Sequence, residues 1–195
     1  MKRTVKLAFA LALIVLANIS VASTMDDFFQ VEVTGKRTFN LVIKNISGEG
    51  HLEIRGAGGS VLYDLDIDKK MIDKRFDVSA FPAGDYELTF RDNYKIHSVT
   101  MHASGDLKFD LESAVIHYVP SIQLRGKSLS VGVLANPSDE MTVSIYDELN
   151  QLIIRRKITG SEFIGKSFDF SKAPAGRYRV QVKNQGNLFT EYVKI

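Results

Sequence analysis

The sequence predicts an all-β protein made of two similar antiparallel sandwiches in tandem, and three observations lead to that prediction. A phrase in the middle of the chain, FDVSAFPAGDYELTF at 76–90, returns as FDFSKAPAGRYRVQV at 168–182, with seven of fifteen positions identical. Apolar and polar residues alternate with period two in many short segments, which is typical of half-buried strands. Clusters of Gly, Asn, Asp and Pro separate these segments, as turns do.

Two further pairs of segments extend the repeat: residues 33–45 match 124–136, and residues 52–67 match 143–158. Their order and spacing are typical of a tandem duplication. About seven short strands per unit suit an antiparallel sandwich of immunoglobulin-like type. We therefore predict sandwiches over 28–104 and 119–195, with residues 105–118 as an added strand or a rigid connector between them.

The repeated phrase is predicted to build a corner of each sandwich. Proline presets φ for the turn, and we expect the glycine to take the positive φ that other residues resist. The tyrosine then begins the next strand with its ring inward and its hydroxyl within reach of a turn carbonyl, as in the tyrosine corner of sandwich folds. The residues of this corner are Pro82, Gly84 and Tyr86 in the first unit and Pro174, Gly176 and Tyr178 in the second.

The N-terminal residues 1–22 have the pattern of a signal peptide. Three basic residues precede the eleven-residue apolar run Leu7–Ala17, and Ser20 and Ala22 supply the small residues of a cleavage site. The run is too short to span a bilayer, which takes about 18 residues or more. We expect cleavage after Ala22 or Ser23, no transmembrane segment in the mature chain, and export to the periplasm, the cell surface or the medium.

Charge and cysteine content exclude several classes of function. Loss of the three basic residues with the leader lowers the formal charge from +2 to −1. No basic stripe is then left to indicate a nucleic acid or an anionic membrane as partner. The chain has no cysteine, so its stability depends on core burial and not on disulfides.

The second unit resembles the type A C-terminal sorting domain of the type IX secretion system. The resemblance lies in the pair Asn136-Pro137, the strand and turn at 143–151, the Asp-x-Ser-x-x-Pro-Ala-Gly-x-Tyr corner at 169–178 and the final strand at 191–195. It implies a seven-stranded sandwich that an outer-membrane translocon recognises. It also implies a cargo that is released or attached to the surface, usually with the sorting domain cleaved off.

Three carboxylates share one predicted strand face, those of Asp64, Asp66 and Asp68. Several oxygen ligands would suit calcium, but Lys69 and Lys70 follow directly and favour a polar outer face. The equivalent stretch of the second unit, residues 155–157, is basic. If the two faces met, they could form a charge-complementary contact between units or between neighbouring molecules.

The histidines and glycines do not indicate a catalytic or metal site. His51, His97, His102 and His117 lack paired-ligand spacing, and we expect solvated or capping roles instead of zinc ligation. The glycines at 56–59 precede a predicted strand where a phosphate loop would need a helix. The sequence predicts no enzyme, no metal and no cofactor.

The predicted function is that of a non-catalytic structural or binding module of the cell envelope or surface. Exposed aromatic residues on a sandwich could stack on glycans, and Phe28, Phe29, Tyr94 and Tyr118 are the candidates, although loop or core positions are commoner for such residues. The partner would then be a surface protein or a glycan. The alternative is a small secreted cargo, the first unit, carrying a sorting domain for the secretion translocon.

Overall fold

A computed structural model describes residues 22–24, 28–134, 139–160 and 162–195. The predicted signal peptide lies outside these residues except for Ala22, and so does the pair Asn136-Pro137. No helix in the described part of the chain is long and apolar enough to cross a membrane.

In the described residues, the first sandwich consists of nine strands in two antiparallel sheets. The strands are β1 (Ala22–Thr24), β2 (Phe29–Gly35), β3 (Thr38–Ile43), β4 (Gly50–Gly56), β5 (Val61–Ile67), β6 (Ile72–Asp77), β7 (Asp85–Arg91), β8 (Lys95–His102) and β9 (Lys108–Tyr118). One sheet has the order β1-β2-β3-β6, and the other has the order β5-β4-β7-β8-β9.

The part of the second sandwich that the structure describes consists of seven strands in two antiparallel sheets. They are β10 (Ser121–Arg125), β11 (Ser128–Leu134), β12 (Glu140–Tyr146), β13 (Leu152–Thr159), β14 (Phe163–Asp169), β15 (Arg177–Asn184) and β16 (Asn187–Lys194). The sheet orders are β10-β11-β14 and β13-β12-β15-β16. The prediction of an all-β chain with two tandem sandwiches is confirmed.

The position of one strand distinguishes these sandwiches from a constant-type immunoglobulin domain. In that domain the fourth strand pairs in the sheet of the first, second and fifth strands. Here β5 pairs with β4, and its counterpart β13 pairs with β12, so both lie in the opposite sheet. The strand β9 is an addition at the edge of the first sandwich, next to β8.

Each sandwich has its own apolar core, filled by alternate strand residues. Along β3, every second residue is buried, beginning with Phe39. Phe39 stacks on Phe76 with ring centroids 4.9 Å apart. In the second core, Met141, Val143 and Ile145 of β12 are fully buried. Burial of this kind contributes about 25 cal/mol per Å² of apolar surface, so the alternation is the main source of stability.

The sequence match of residues 33–45 with 124–136 has no gap, and beyond the turn between the two strands it differs from the structural equivalence by one residue. Phe39 and Leu129 are structurally equivalent, because each lies opposite the buried phenylalanine near the end of the fifth repeat strand. The ungapped match pairs Phe39 with Ser130 instead. The cause is a register shift in the pairing of β2 with β3, just before Gly35. The equivalent pairing of β10 with β11 has no shift.

Both tyrosine hydroxyls at the repeated corners bond back to the turn. Tyr86 Oη donates to the carbonyl oxygen of Pro82 at 2.6 Å, and Tyr178 Oη donates to that of Pro174 at 2.9 Å. Both rings are buried. The corner therefore ties the start of the sixth strand of each unit to the loop that precedes it.

The expectation of positive φ at the corner glycines is wrong. Neither Gly84 nor Gly176 lies in the left-handed region; Gly59 does, and so does its counterpart Asn150 in the second unit. At Gly176 the need is for space, because a Cβ there would lie 2.9 Å from Glu148 Oε1. That carboxylate accepts a hydrogen bond from the Arg177 backbone N–H at 2.6 Å.

Candidate functional site

The predicted acidic face contains a histidine in addition to its carboxylates. Asp66 and Asp64 of β5 lie opposite His51 and Glu53 of β4. His51 Nδ1 is 2.8 Å from Asp66 Oδ1, and His51 Nε2 is 3.4 Å from Asp64 Oδ2 and 3.9 Å from Glu53 Oε2. Asp68 follows the last residue of β5 and is exposed.

These side chains form a polar network that could also hold a divalent cation. Ligand atoms of His51, Glu53 and Asp64 all lie within 4.8 Å of one another. Because the set includes an imidazole nitrogen, it suits a transition metal better than calcium, which prefers oxygen ligands alone. The Arg55 guanidinium already forms an ion pair with Glu53, however. That positive charge opposes a cation and favours the polar outer face.

Sequence reasoning missed His51 and Glu53 as partners of the two aspartates. The signal was present, because residues 51 and 53 alternate on a strand joined by the glycine turn to Asp64 and Asp66. Pairing the two segments as a hairpin places all four on one face. The Asp66 side chain is 93% exposed, so the second unit does not cover this face. A charge-complementary contact with a neighbouring molecule stays a prediction.

Tyr94 is an exposed ring on a fixed turn. Its side chain is 65% exposed, in the turn between β7 and β8. The buried Asp92 carboxylate holds this turn by accepting hydrogen bonds from the backbone N–H groups of Ser47, Tyr94 and Lys95 at 2.8–3.1 Å. The Tyr94 carbonyl accepts a hydrogen bond from Val119 N at 2.8 Å, so the turn lies where the two units meet.

The other aromatic candidates for glycan stacking belong to the interior. Phe29 is fully buried, and Tyr118 is partly buried against the second core. Phe28 stacks on His97 with centroids 4.8 Å apart. His97 is itself fully buried, so the expectation of a solvated or capping histidine is wrong there. The exposed rings that the sequence did not single out are Phe163 and Tyr192.

A groove of about 440 Å³ lies beside the corner of the second unit. Its walls come from the β12–β13 turn, the start of β13 and the Pro174 loop, and its lining includes Leu149, Ile153, Ala173 and Tyr178. We call it the corner groove. A volume of this order falls within the range of small-ligand sites, about 300–1,000 Å³.

No protein-family model matches the sequence, and no curated protein matches it. Among solved structures, the chain is similar to a biofilm associated protein, BSP domain, with 12% identity over 86% of this chain and a TM-score of 0.30. It is also similar to the FN1–FN3 domains of chicken CNTN1, with 12% identity over 82% of this chain and a TM-score of 0.30. The chain spans 29% and 62% of the length of these two proteins.

A third similar structure is that of the receptor tyrosine kinase Torso, with 9% identity over 87% of this chain and 74% of that chain, and a TM-score of 0.26. None of the three similarities identifies a family.

Proposed function

We propose that the protein is an exported, non-catalytic two-domain module that acts as a structural or binding unit of the cell envelope or surface. The proposed units are residues 28–104 and 119–195, and they are joined by residues 105–118, which include the edge strand β9. The observation that carries the proposal is the joint between the two units, which is built from side chains of both.

The joint places a residue of the first unit in the second core. Ile96 of β8 is 9% exposed and packs in the cluster that includes Phe189 and Val193 of β16. The Arg91 guanidinium lies 5.5 Å from the centroid of the Phe189 ring. These contacts come from the end of β7 and the start of β8, so the first sandwich buries its end against the second.

Polar contacts extend the same joint. His117 Nδ1 of β9 is 2.7 Å from Gln185 Oε1, and Gln185 Nε2 donates to Asp139 Oδ2 at 2.6 Å. The strand β9 ends at Tyr118, and β10 begins at Ser121, with only two residues between them. A connection this short restricts the relative motion of two domains far more than a flexible linker would. Such rigidity suits a spacer or a binding unit, in which the spacing of two surfaces matters.

The test is the intact mass of the protein recovered from its own producing cells, including the cell surface and the medium. A species that begins near Ser23 and ends at Ile195 is the expected result. A species that lacks residues 119–195 would overturn the proposal.

The alternative function is a small secreted cargo, the first unit, carrying a sorting domain of the type IX secretion system. It is supported by the seven strands of the second sandwich, the number that the resemblance implies. The Tyr178 corner, which is part of the resemblance, supports it as well. The same mass measurement separates the two functions, because a removed sorting domain would leave only the first unit.

A further inference from the structure

The two repeats differ at the residue that directly precedes the corner proline, beside the corner tyrosine. In the first unit Phe81 precedes Pro82, and its ring lies 5.4 Å from that of Tyr86, centroid to centroid. In the second unit the same position, directly before Pro174, is Ala173. A methyl group cannot replace a phenyl ring, and Ala173 lines the corner groove.

The first unit also holds its loop in place around Phe81. Arg37 Nη2 donates to the carbonyl oxygens of Val78 and Phe81 at 3.1 and 2.5 Å. The backbone bonds Val78 N to Arg37 O and Phe170 N to Lys127 O show that Lys127 is the counterpart of Arg37. The first unit therefore fills and braces this space with Phe81 and Arg37. In the second unit the buried ring of Phe170, the counterpart of Val78, lies 5.1 Å from that of Tyr178, but no ring stands at the position of Phe81 and no guanidinium at that of Arg37.

The rim of the groove gains an apolar residue that the first unit lacks. The turns Gly56–Ser60 and Asp147–Gln151 are equivalent, because both close with the same pair of backbone hydrogen bonds. Leu149 therefore stands where the first unit has Gly58. Leu149 is 77% exposed and Ile153 is 52% exposed. The two exposed aliphatic side chains add apolar surface to the edge of the groove, and contiguous exposed apolar surface is a feature of interaction sites.

Charge around the groove is predominantly negative. The lining includes the carboxylates of Asp147, Glu148 and Asp169 and a single cation, Lys172. Glu148 has no counterpart in the first unit, where the equivalent residue is Ala57. The carboxylates accept backbone hydrogen bonds from the loops, and these bonds hold them in place without removing their charge.

We propose that the corner groove binds an aromatic side chain flanked by lysine or arginine, presented by an extended peptide segment of a partner protein. The first unit shows that a phenyl ring suits the space beside the tyrosine. The carboxylates select a basic neighbour by charge complementarity. This inference rests on the binding role proposed above and names the chemistry of the partner.

The test is a titration of the isotope-labelled mature chain with the peptide acetyl-Gly-Lys-Phe-Lys-Gly-amide, followed by NMR. We expect shifts at Leu149, Ile153 and Ala173. The peptides with Glu in place of both Lys, or with Ala in place of Phe, should bind at least roughly tenfold more weakly, which corresponds to about 1.4 kcal/mol.

Two groove variants and one control complete the test. Ala173→Phe fills the groove as the first unit does and should weaken binding roughly tenfold. Leu149→Ala truncates an exposed residue, so folding is retained, and should weaken binding roughly threefold. Leu188→Ala removes a similarly exposed leucine, 61% exposed on β16, and should change nothing.

Equal binding of the Lys and Glu peptides, or binding unaffected by both groove variants, would overturn the proposal. So would self-association of the chain that Ala173→Phe abolishes, because the occupant would then be a second copy. The mass measurement and this titration test the two proposals independently, because either one can fail while the other succeeds. Removal of residues 119–195 in cells would leave the peptide result standing, and a flat titration would not change the mass.

Discussion

Tyr178 and Pro174 are joined by a hydrogen bond of 2.9 Å from the phenol to the carbonyl, and Tyr86 and Pro82 make the same bond at 2.6 Å. Replacing either tyrosine by phenylalanine keeps the ring and leaves a part-buried carbonyl without its donor. We expect each variant to lower the free energy of unfolding by about 1 kcal/mol, measured by urea denaturation. Tyr192→Phe, at a half-exposed ring, is the control and should match the wild type. Unchanged stability in both corner variants would show that the bonds contribute nothing.

The two corner glycines should respond in opposite ways to alanine. A Cβ at Gly84 would meet no atom within 4 Å. Gly84→Ala should therefore stabilise the chain by about 0.5 kcal/mol, through loss of entropy in the unfolded state. Gly176→Ala would push Glu148 off the Arg177 N–H and should cost about 1 kcal/mol. Thermal and urea unfolding measure both. In a Glu148→Ala background the cost of Gly176→Ala should disappear, and a cost that persists would contradict the steric explanation.

The sequence was sufficient to predict the sandwiches and the corners, because both depend on local patterns. Alternation along the β3 segment specifies which face is buried, and the corner contacts span only four residues along the chain. The equivalence of individual residues in the two units could not be read from an ungapped comparison. The register shift before Gly35 offsets Phe39 and its neighbours on β3 by one position from the ungapped match.

Contacts between distant segments could not be read from local patterns. His97 lies on a strand as His102 does, yet only His97 is covered by the rings of Phe28 and Phe29, some 70 residues earlier. Ile96 reads as a core residue of its own unit but packs in the core of the next one. The corner groove depends on a difference between repeats, Phe81 against Ala173, that becomes meaningful only once the ring positions are known.

Ile96 is expected to couple the stability of the two sandwiches. Ile96→Ala removes part of a buried side chain from the second core and should cost about 2 kcal/mol. The loss should appear as faster hydrogen exchange in β15 and β16, although the altered residue belongs to the first sandwich. Val115→Ala, at a 43% exposed position on β9, is the control and should leave that exchange unchanged. Faster hydrogen exchange confined to the first unit would contradict the packing of Ile96 in the second core.

Two aspartates at the repeated corners should make stability fall in acid. Hydrogen bonds from the Ser79 side chain and backbone hold the pKa of Asp77 below its ordinary value, and the Ser171 backbone and side chain do the same for Asp169. The unfolded chain, with a pKa of about 3.9, then binds protons first as the pH falls. The contribution is complete above that pKa and is lost as the pH falls through the lower folded pKa.

Urea unfolding between about pH 2.5 and 6 measures this loss, over a range that spans the aspartate pKa. Asp77→Asn and Asp169→Asn keep an acceptor for the turn but cannot titrate, so each should flatten the acid limb of the stability curve. Ser79→Ala and Ser171→Ala should flatten it in part, and Ser121→Ala, at an exposed serine, should not. If the stability curve is unchanged in both asparagine variants, groups other than Asp77 and Asp169 cause the loss of stability in acid.

Reversing a charge on the acidic face separates its role in stability from its role in association. Asp66 is 93% exposed, and its contact with His51 is a surface hydrogen bond, so it contributes no more than the roughly 0–1 kcal/mol of an exposed charged contact. Asp66→Lys should therefore change the free energy of unfolding by less than about 1 kcal/mol. If the acidic face meets the basic stretch 155–157 of a neighbouring molecule, the variant should also lower self-association in sedimentation velocity at low salt, where charge attraction is least screened.

The compensating variant makes that test specific to the two faces. Arg155 is the counterpart of Asp64, and Asp66→Lys combined with Arg155→Glu reverses one charge on each face. We expect the double variant to recover the association that the single variant loses, because complementarity depends on opposite signs and not on which face carries them. Raising the salt concentration should weaken the wild type and the double variant alike. Association that is the same in all three proteins would show that these faces do not meet, and Asp66 would then act only within its own polar network.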